Sequence, residues 1–154
     1  MGKRAERSQF ETSASARAHD AAEARELAVA IARAITDDRC EDVMVLDVRG
    51  ASPITDFIVI GSGTSDRQMK TAMGTATELG AGRGFPSIRS SADDRATWLL
   101  ADFVDVVLHL FEPNTRAYYD LETLWPDAKR VQWARAGQQD RNRAGLRPDE
   151  RAGG

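Results

Sequence analysis

The run D-V-R-G-A-S-P-I-T-D-F-I-V-I-G-S-G-T-S, Asp47 to Ser65, decides the architecture. It joins the end of one apolar run, Val43 to Val48, to a second, Phe57 to Ile60, through R-G-A-S-P. Gly and Pro there demand a turn, so the two runs read as strands. The second strand empties into Gly61-Ser62-Gly63, and Ser65 with Gln68 matches the S-x-x-Q capping box that starts a helix. Met69, Ala72, Met73, Ala76 and Leu79 then recur at helical spacing, with Gly80 and Gly82 as the stop.

Outward from this unit the pattern repeats. Asp20 and Glu23 make a cap, and Leu27, Ala30, Ile31, Ala34 and Ile35 give a helix with one buried face, ended by Asp37-Asp38. Downstream, Pro86 to Ser90 is a weak strand, while Thr97 to Phe103 and Asp105 to Phe111 are strong ones joined tightly at Val104. Asn114 is the expected N-cap of a last helix, with Tyr118, Leu121 and Trp125 on one face and Pro126 as the stop. The fold class expected is α/β (α+β), a mixed sheet of about five strands with flanking helices. Residues 1–16 are polar and aperiodic and read as a disordered extension. Residues 17–127 read as the domain. Residues 128–154 read as a flexible basic tail with a short helical start around 131–136.

Composition bounds the function. Apolar residues are 42% and charged residues 29%, as in an ordinary soluble protein. The lone Cys40 excludes an internal disulfide and a cysteine-cluster zinc site and fits a reducing, cytoplasmic setting. No apolar run approaches the roughly 20 residues that span a bilayer, so no membrane partner is expected. The N-terminus lacks a signal-peptide core, and Glu6, Glu11 and Asp20 are foreign to a transit peptide. Residues 16–127 hold nineteen acids against eleven bases, whereas residues 128–154 hold seven bases against three acids. An acidic body suits a basic protein partner better than bare nucleic acid, and the basic tail suits a polyanion.

Gly61-Ser62-Gly63 lies where phosphates meet helix N-termini, but Asp66 stands where a dinucleotide fingerprint needs its third Gly, and no Gly-Lys-Ser/Thr follows. A Gly-Ser at a strand end also opens nucleotidyltransferase sites, whose two metals need clustered carboxylates. No Asp-x-Asp occurs in the chain, so an enzyme using Gly61, Ser62 and Asp66 lacks its metal ligands. Ser62 has no G-x-S-x-G elbow, and His109, alternating with Val107 and Phe111, reads as a sheet histidine rather than half of a pair with His19. Trp98, Leu100 and Asp102 share one strand face and Leu99, Ala101 and Phe103 the other. Inside, the first trio is core with Asp102 capping the turn toward Asp105; at a surface it is the composition of a protein-binding hot spot. Of Tyr118 and Tyr119, one is expected in the core and one outside.

Three stretches together resemble one family: T-D-F-I-V-I-G-S-G-T-S-D-R (Thr55–Arg67), W-L-L-A-D-F-V-D-V-V-L-H-L-F (Trp98–Phe111) and R-A-Y-Y-D-L-E-T-L-W (Arg116–Trp125). Over about Arg25 to Asp127 the chain resembles the ribosomal silencing factors, also called RsfS or Iojap-like proteins. The resemblance implies a homodimer with a nucleotidyltransferase-like fold but no catalysis and no cofactor. It implies a cytoplasmic translational repressor that binds the large ribosomal subunit through its protein fourteen and sterically blocks joining of the small subunit. The partner-binding residues it implies are Trp98, Leu99, Leu100, Asp102, Tyr118 and Tyr119. The chain departs from the family at Ser90-Ser91-Ala92, where relatives usually carry Glu-Gly before the tryptophan, and at Val104, where they usually carry Gly. The nucleotidyltransferase-like enzyme on the Gly61-Ser62 loop is the alternative.

Overall fold

A computed structural model of the 154-residue chain describes residues 19–137. The expected disordered residues 1–16 and the tail from 138 onward lie outside the described residues. Helix α1 spans Ala21–Asp37, capped by Asp20, whose side chain accepts the Glu23 N–H at 2.7 Å. Strands β1 (Glu41–Asp47) and β2 (Phe57–Ser62) form an antiparallel pair. Helix α2 (Asp66–Gly82) follows, then β3 (Arg89–Ala92), β4 (Trp98–Asp102) and β5 (Val106–Phe111). Helix α3 (Pro113–Tyr119), a 3-10 turn (Leu121–Leu124) and β6 (Lys129–Arg130) complete it.

The six strands lie in the order β3-β4-β5-β2-β1-β6. Only β2 and β5 run parallel, because the chain between them must cross over through α2 and the β3–β4 hairpin. Both are buried along their whole length, as central strands covered on two faces must be. Alternation sends Val43, Val45, Phe57, Val59, Leu99, Ala101, Val106, Leu108 and Leu110 to one face, where α1 and α2 cover them. The opposite face gathers Met44, Leu46, Ile58, Ile60 and Phe111 under Leu121, Trp98 and Trp125. It is only partly covered.

Several expectations change. The buried stripe of α1 is Ala24, Leu27, Ala28, Ile31, Ala32 and Ile35, which leaves Ala30 and Ala34 only half-buried. Gly80 does not end α2 but lies inside it, and its lack of a side chain makes room for the Phe103 ring, which a Cβ would meet at 2.5 Å. The weak strand falls at 89–92 rather than 86–90. Asn114 is not the cap of α3. Pro113 takes the first helical position, where its missing N–H costs nothing, and the carboxylate of Glu112 accepts the Asn114 and Thr115 N–H groups at 3.3 Å each. The last helix also stops early: Asp120 turns left-handed (φ 47°), and a short 3-10 turn carries Leu121 inward.

The largest correction concerns the expected end of the domain at Asp127. Lys129 and Arg130 pair with Asp47 and Leu46, and Val131 donates its N–H to the Val45 carbonyl at 2.9 Å. Val131 and Trp133 are buried in the helix-side core, with Trp133 only 2% exposed. Arg33 reaches the Trp133 carbonyl at 2.7 Å, and Arg135 pairs with Asp37. The segment expected to begin a tail, with a helical start, is an extended strap that closes the sheet and core.

Candidate functional site

Strand alternation places Trp98, Leu100 and Asp102 on the less covered face of β4. Trp98 stacks on Phe111 with ring centroids 4.9 Å apart and meets Tyr119 at the same distance. Tyr118 stands edge-on to Tyr119 at 5.1 Å. Neither tyrosine enters the core: Tyr118 is 82% exposed and Tyr119 53%. The left-handed turn at Asp120 ends α3 before its tyrosines can point inward, which leaves four aromatic rings in one semi-exposed cluster. Leu100 is half-buried opposite His109. Leu99 does not join this surface; it is buried on the helix side.

Asp102 sits at the far end of β4, roughly 13 Å of strand from Trp98. Its Oδ1 accepts the Val104 N–H at 2.8 Å and its Oδ2 lies 3.9 Å from the Arg89 guanidinium. It therefore caps the tight connection, where Val104 adopts φ 75°.

His109, beneath the aromatics, accepts the Trp98 indole N–H on Nδ1 at 3.1 Å. An indole nitrogen can only donate, so Nδ1 must be unprotonated and the neutral ring carries its hydrogen on Nε2. Burial pushes this histidine down to about 4. His19 is elsewhere, stacked on Phe85 at 3.9 Å and bonded to Glu23, which raises its pKa. The structure does not bring the two histidines together.

The Gly61-Ser62-Gly63 loop is filled by packing. A Cβ on Gly63 would fall 1.9 Å from Met69, and one on Gly61 would press on Ile35 and Leu110. At the helix start, Ser65 accepts the Gln68 N–H at 3.1 Å and Gln68 accepts the Thr64 N–H at 2.9 Å, so donors that a phosphate would use are engaged. Ser62 is buried and accepts a hydrogen bond from Arg116 at 2.8 Å.

Arg116 is the site residue that the sequence reading missed. It is 1% exposed, donates from one terminal nitrogen to Ser62 and the Asp42 carbonyl, and from Nε to Glu122 at 3.0 Å. The signal was local: P-N-T-R-A-Y-Y offers no long aliphatic side chain to anchor the helix. In the wall of a hollow of about 660 Å³ beside Trp125 and Lys129, Arg49 grips Asp47 with bonds of 2.9 and 2.7 Å. Among the described residues no group of three or more metal-ligating side chains clusters, and no helix is long and apolar enough to cross a membrane.

Comparison with known proteins adds the context. The family described as ribosomal silencing factor during starvation matches residues 21–152. The ribosomal silencing factor RsfS of Bacillus subtilis is 37% identical over 97 residues, covering 63% of this chain and 82% of that protein. RsfS of Halalkalibacterium halodurans is 35% identical over 108 residues, 70% of this chain and 92% of that one. A crystal structure of a Chromobacterium violaceum protein superposes with a TM-score of 0.63 at 27% identity, covering 78% of this chain and 98% of its own.

Proposed function

Because the chain belongs to the ribosomal silencing factor family, we propose that it represses translation by binding the large ribosomal subunit and keeping the small subunit from joining. One observation carries the reading: a rigid sheet presents Trp98, Tyr118 and Tyr119 as a semi-exposed aromatic cluster, continued along β4 by Leu100 and Asp102. Large rings on a preformed support, rimmed by a charge, are the anatomy of a protein-binding hot spot. The surrounding body, with nineteen acids and eleven bases over residues 16–127, favours a basic partner. That partner is a basic protein of the large subunit, by family resemblance its protein fourteen.

The mechanism is occlusion. The docked body fills space that the small subunit needs, and no covalent step is involved. Tyr118 at 82% exposure also suits an isologous contact in a homodimer. The experiment is sedimentation of the tagged full chain with separated ribosomal subunits. Co-migration with free large subunits, lost in Trp98→Ala and accompanied by fewer joined ribosomes, is expected. Co-migration with small subunits alone, or with neither, would overturn the proposal.

A further inference from the structure

The helix that carries the tyrosines has almost no apolar anchor. Of the residues of α3, Arg116 is the one that is buried. Its guanidinium bonds to three different segments: Ser62 at the end of β2 (2.8 Å), the carbonyl of Asp42 in β1 (2.7 Å) and Glu122 in the 3-10 turn (3.0 Å). The Asp42 carbonyl is available because β1 breaks register between Glu41 and Met44, with Asp42 itself left-handed (φ 49°). On the other side, the Arg116 carbonyl accepts the Asp120 N–H at 2.8 Å and so fixes the turn that ends the helix just after Tyr119. Tyr119 then meets Trp98, which comes from β4 on the far side of β5 from β2.

The distance between Tyr119 and Trp98 is thus set through a buried charge. From this geometry we infer that Arg116, with Ser62 and Glu122, is a positioning clamp for the docking surface. It preassembles the tyrosine pair against Trp98, so that binding need not order α3 at the moment of contact. The inference rests on the reading of this face as the large-subunit contact. Ser62 and Arg116 are both buried, so the unfolding midpoint of each variant is measured before its binding is read. Preorganisation of this kind acts on affinity by lowering the ordering cost of association.

The test uses the full chain and three variants: Ser62→Ala, Glu122→Gln and Arg116→Leu. Two readouts are taken. One is affinity for purified large subunits, in the wild-type background and in a Tyr118→Ala/Tyr119→Ala background. The other is the indole N–H resonance of Trp98, identified by its loss in Trp98→Phe. A positioning clamp predicts weaker binding by about tenfold or more for Arg116→Leu, a smaller loss for Ser62→Ala, and no further loss once both tyrosines are gone. The Trp98 resonance should move in each clamp variant. Equal fold-losses in both backgrounds, or a static Trp98 resonance, would overturn the clamp. If Arg116→Leu does not fold, Ser62→Ala decides by the same criteria. If Trp98→Ala abolishes binding while folded clamp variants bind normally, the inference falls and the functional reading stands. If the wild type binds no large subunit, that reading falls, and the Trp98 resonance alone still decides the clamp.

Discussion

Asp102 engages one carboxylate oxygen with the Val104 N–H and turns the other toward Arg89, so its structural role and its proposed docking role are separable by chemistry. Asp102→Asn keeps an acceptor for the turn but loses the charge. It should hold stability within about 0.5 kcal/mol and weaken large-subunit binding by about 2 kcal/mol, the scale of a truncated interfacial ion pair. Asp102→Ala should lose that affinity and about 1 kcal/mol of stability as well. Denaturation midpoints and sedimentation read the two effects apart, and normal binding by the Asn variant would confine Asp102 to the turn. His109 makes a second prediction. Its folded pKa of about 4 lies below its ordinary 6.5, so on acidification the unfolded chain takes up this proton first. Stability is unaffected above about pH 6.5, falls as pH drops through 6.5 toward 4, and levels off below. The full loss is about 3 kcal/mol. Urea unfolding at pH 7 and pH 4.5 should therefore show a steeper acid loss in wild type than in His109→Gln, and equal losses would refute the assignment.

The β4–β5 connection stores strain. Val104 is β-branched yet held at φ 75°, a region that favours glycine. Val104→Gly should raise stability by about 1 kcal/mol, the relieved strain outweighing the extra freedom of the unfolded chain. Thermal unfolding checks it, and an unchanged or lower Tm would show that the Val104 side chain contributes packing of equal size. The same contrast explains what was legible in the sequence. The strand–loop–helix at 57–82 could be read because its signals are local: two apolar runs, a Gly loop, and Ser65 with Gln68. The β4 face could be read because alternation is local too, and the same alternation assigns Leu99 to the core. Arg116 could not be read in its role, because its acceptors Ser62 and Asp42 lie 54 and 74 residues away. The break at Asp120 was hidden because a residue other than glycine makes the left-handed turn.

For the molecule as a whole, the strap after Asp127 decides where the domain ends. Charged Lys129 and Arg130 masked the alternation of Val131 and Trp133, so the segment looked like a tail. Ending the chain after Asp127 removes a buried tryptophan and should cost at least about 4 kcal/mol of stability. Ending it after Gly137 keeps the buried strap and should cost less, and thermal unfolding of both truncations checks the pair. Equal melting curves would return the boundary to Asp127. The electrostatics follow. Lys129, Arg130 and Arg135 belong to the folded body, which leaves four bases and three acids in residues 138–154. A tether to ribosomal RNA built from those residues has four bases to set against phosphates, so its removal should flatten the salt slope of binding by at most about four. Strand β6 has one more consequence. It covers the outer edge of β1, whose Val43 to Leu46 are all buried, and replaces an apolar ladder edge with Lys129 and Arg130. A single protease cut between the 3-10 turn and β6 would bare that ladder to other copies of the chain. The clipped protein would recruit its neighbours strand to strand, so damage at this point would surface as precipitate before it surfaced as lost repression.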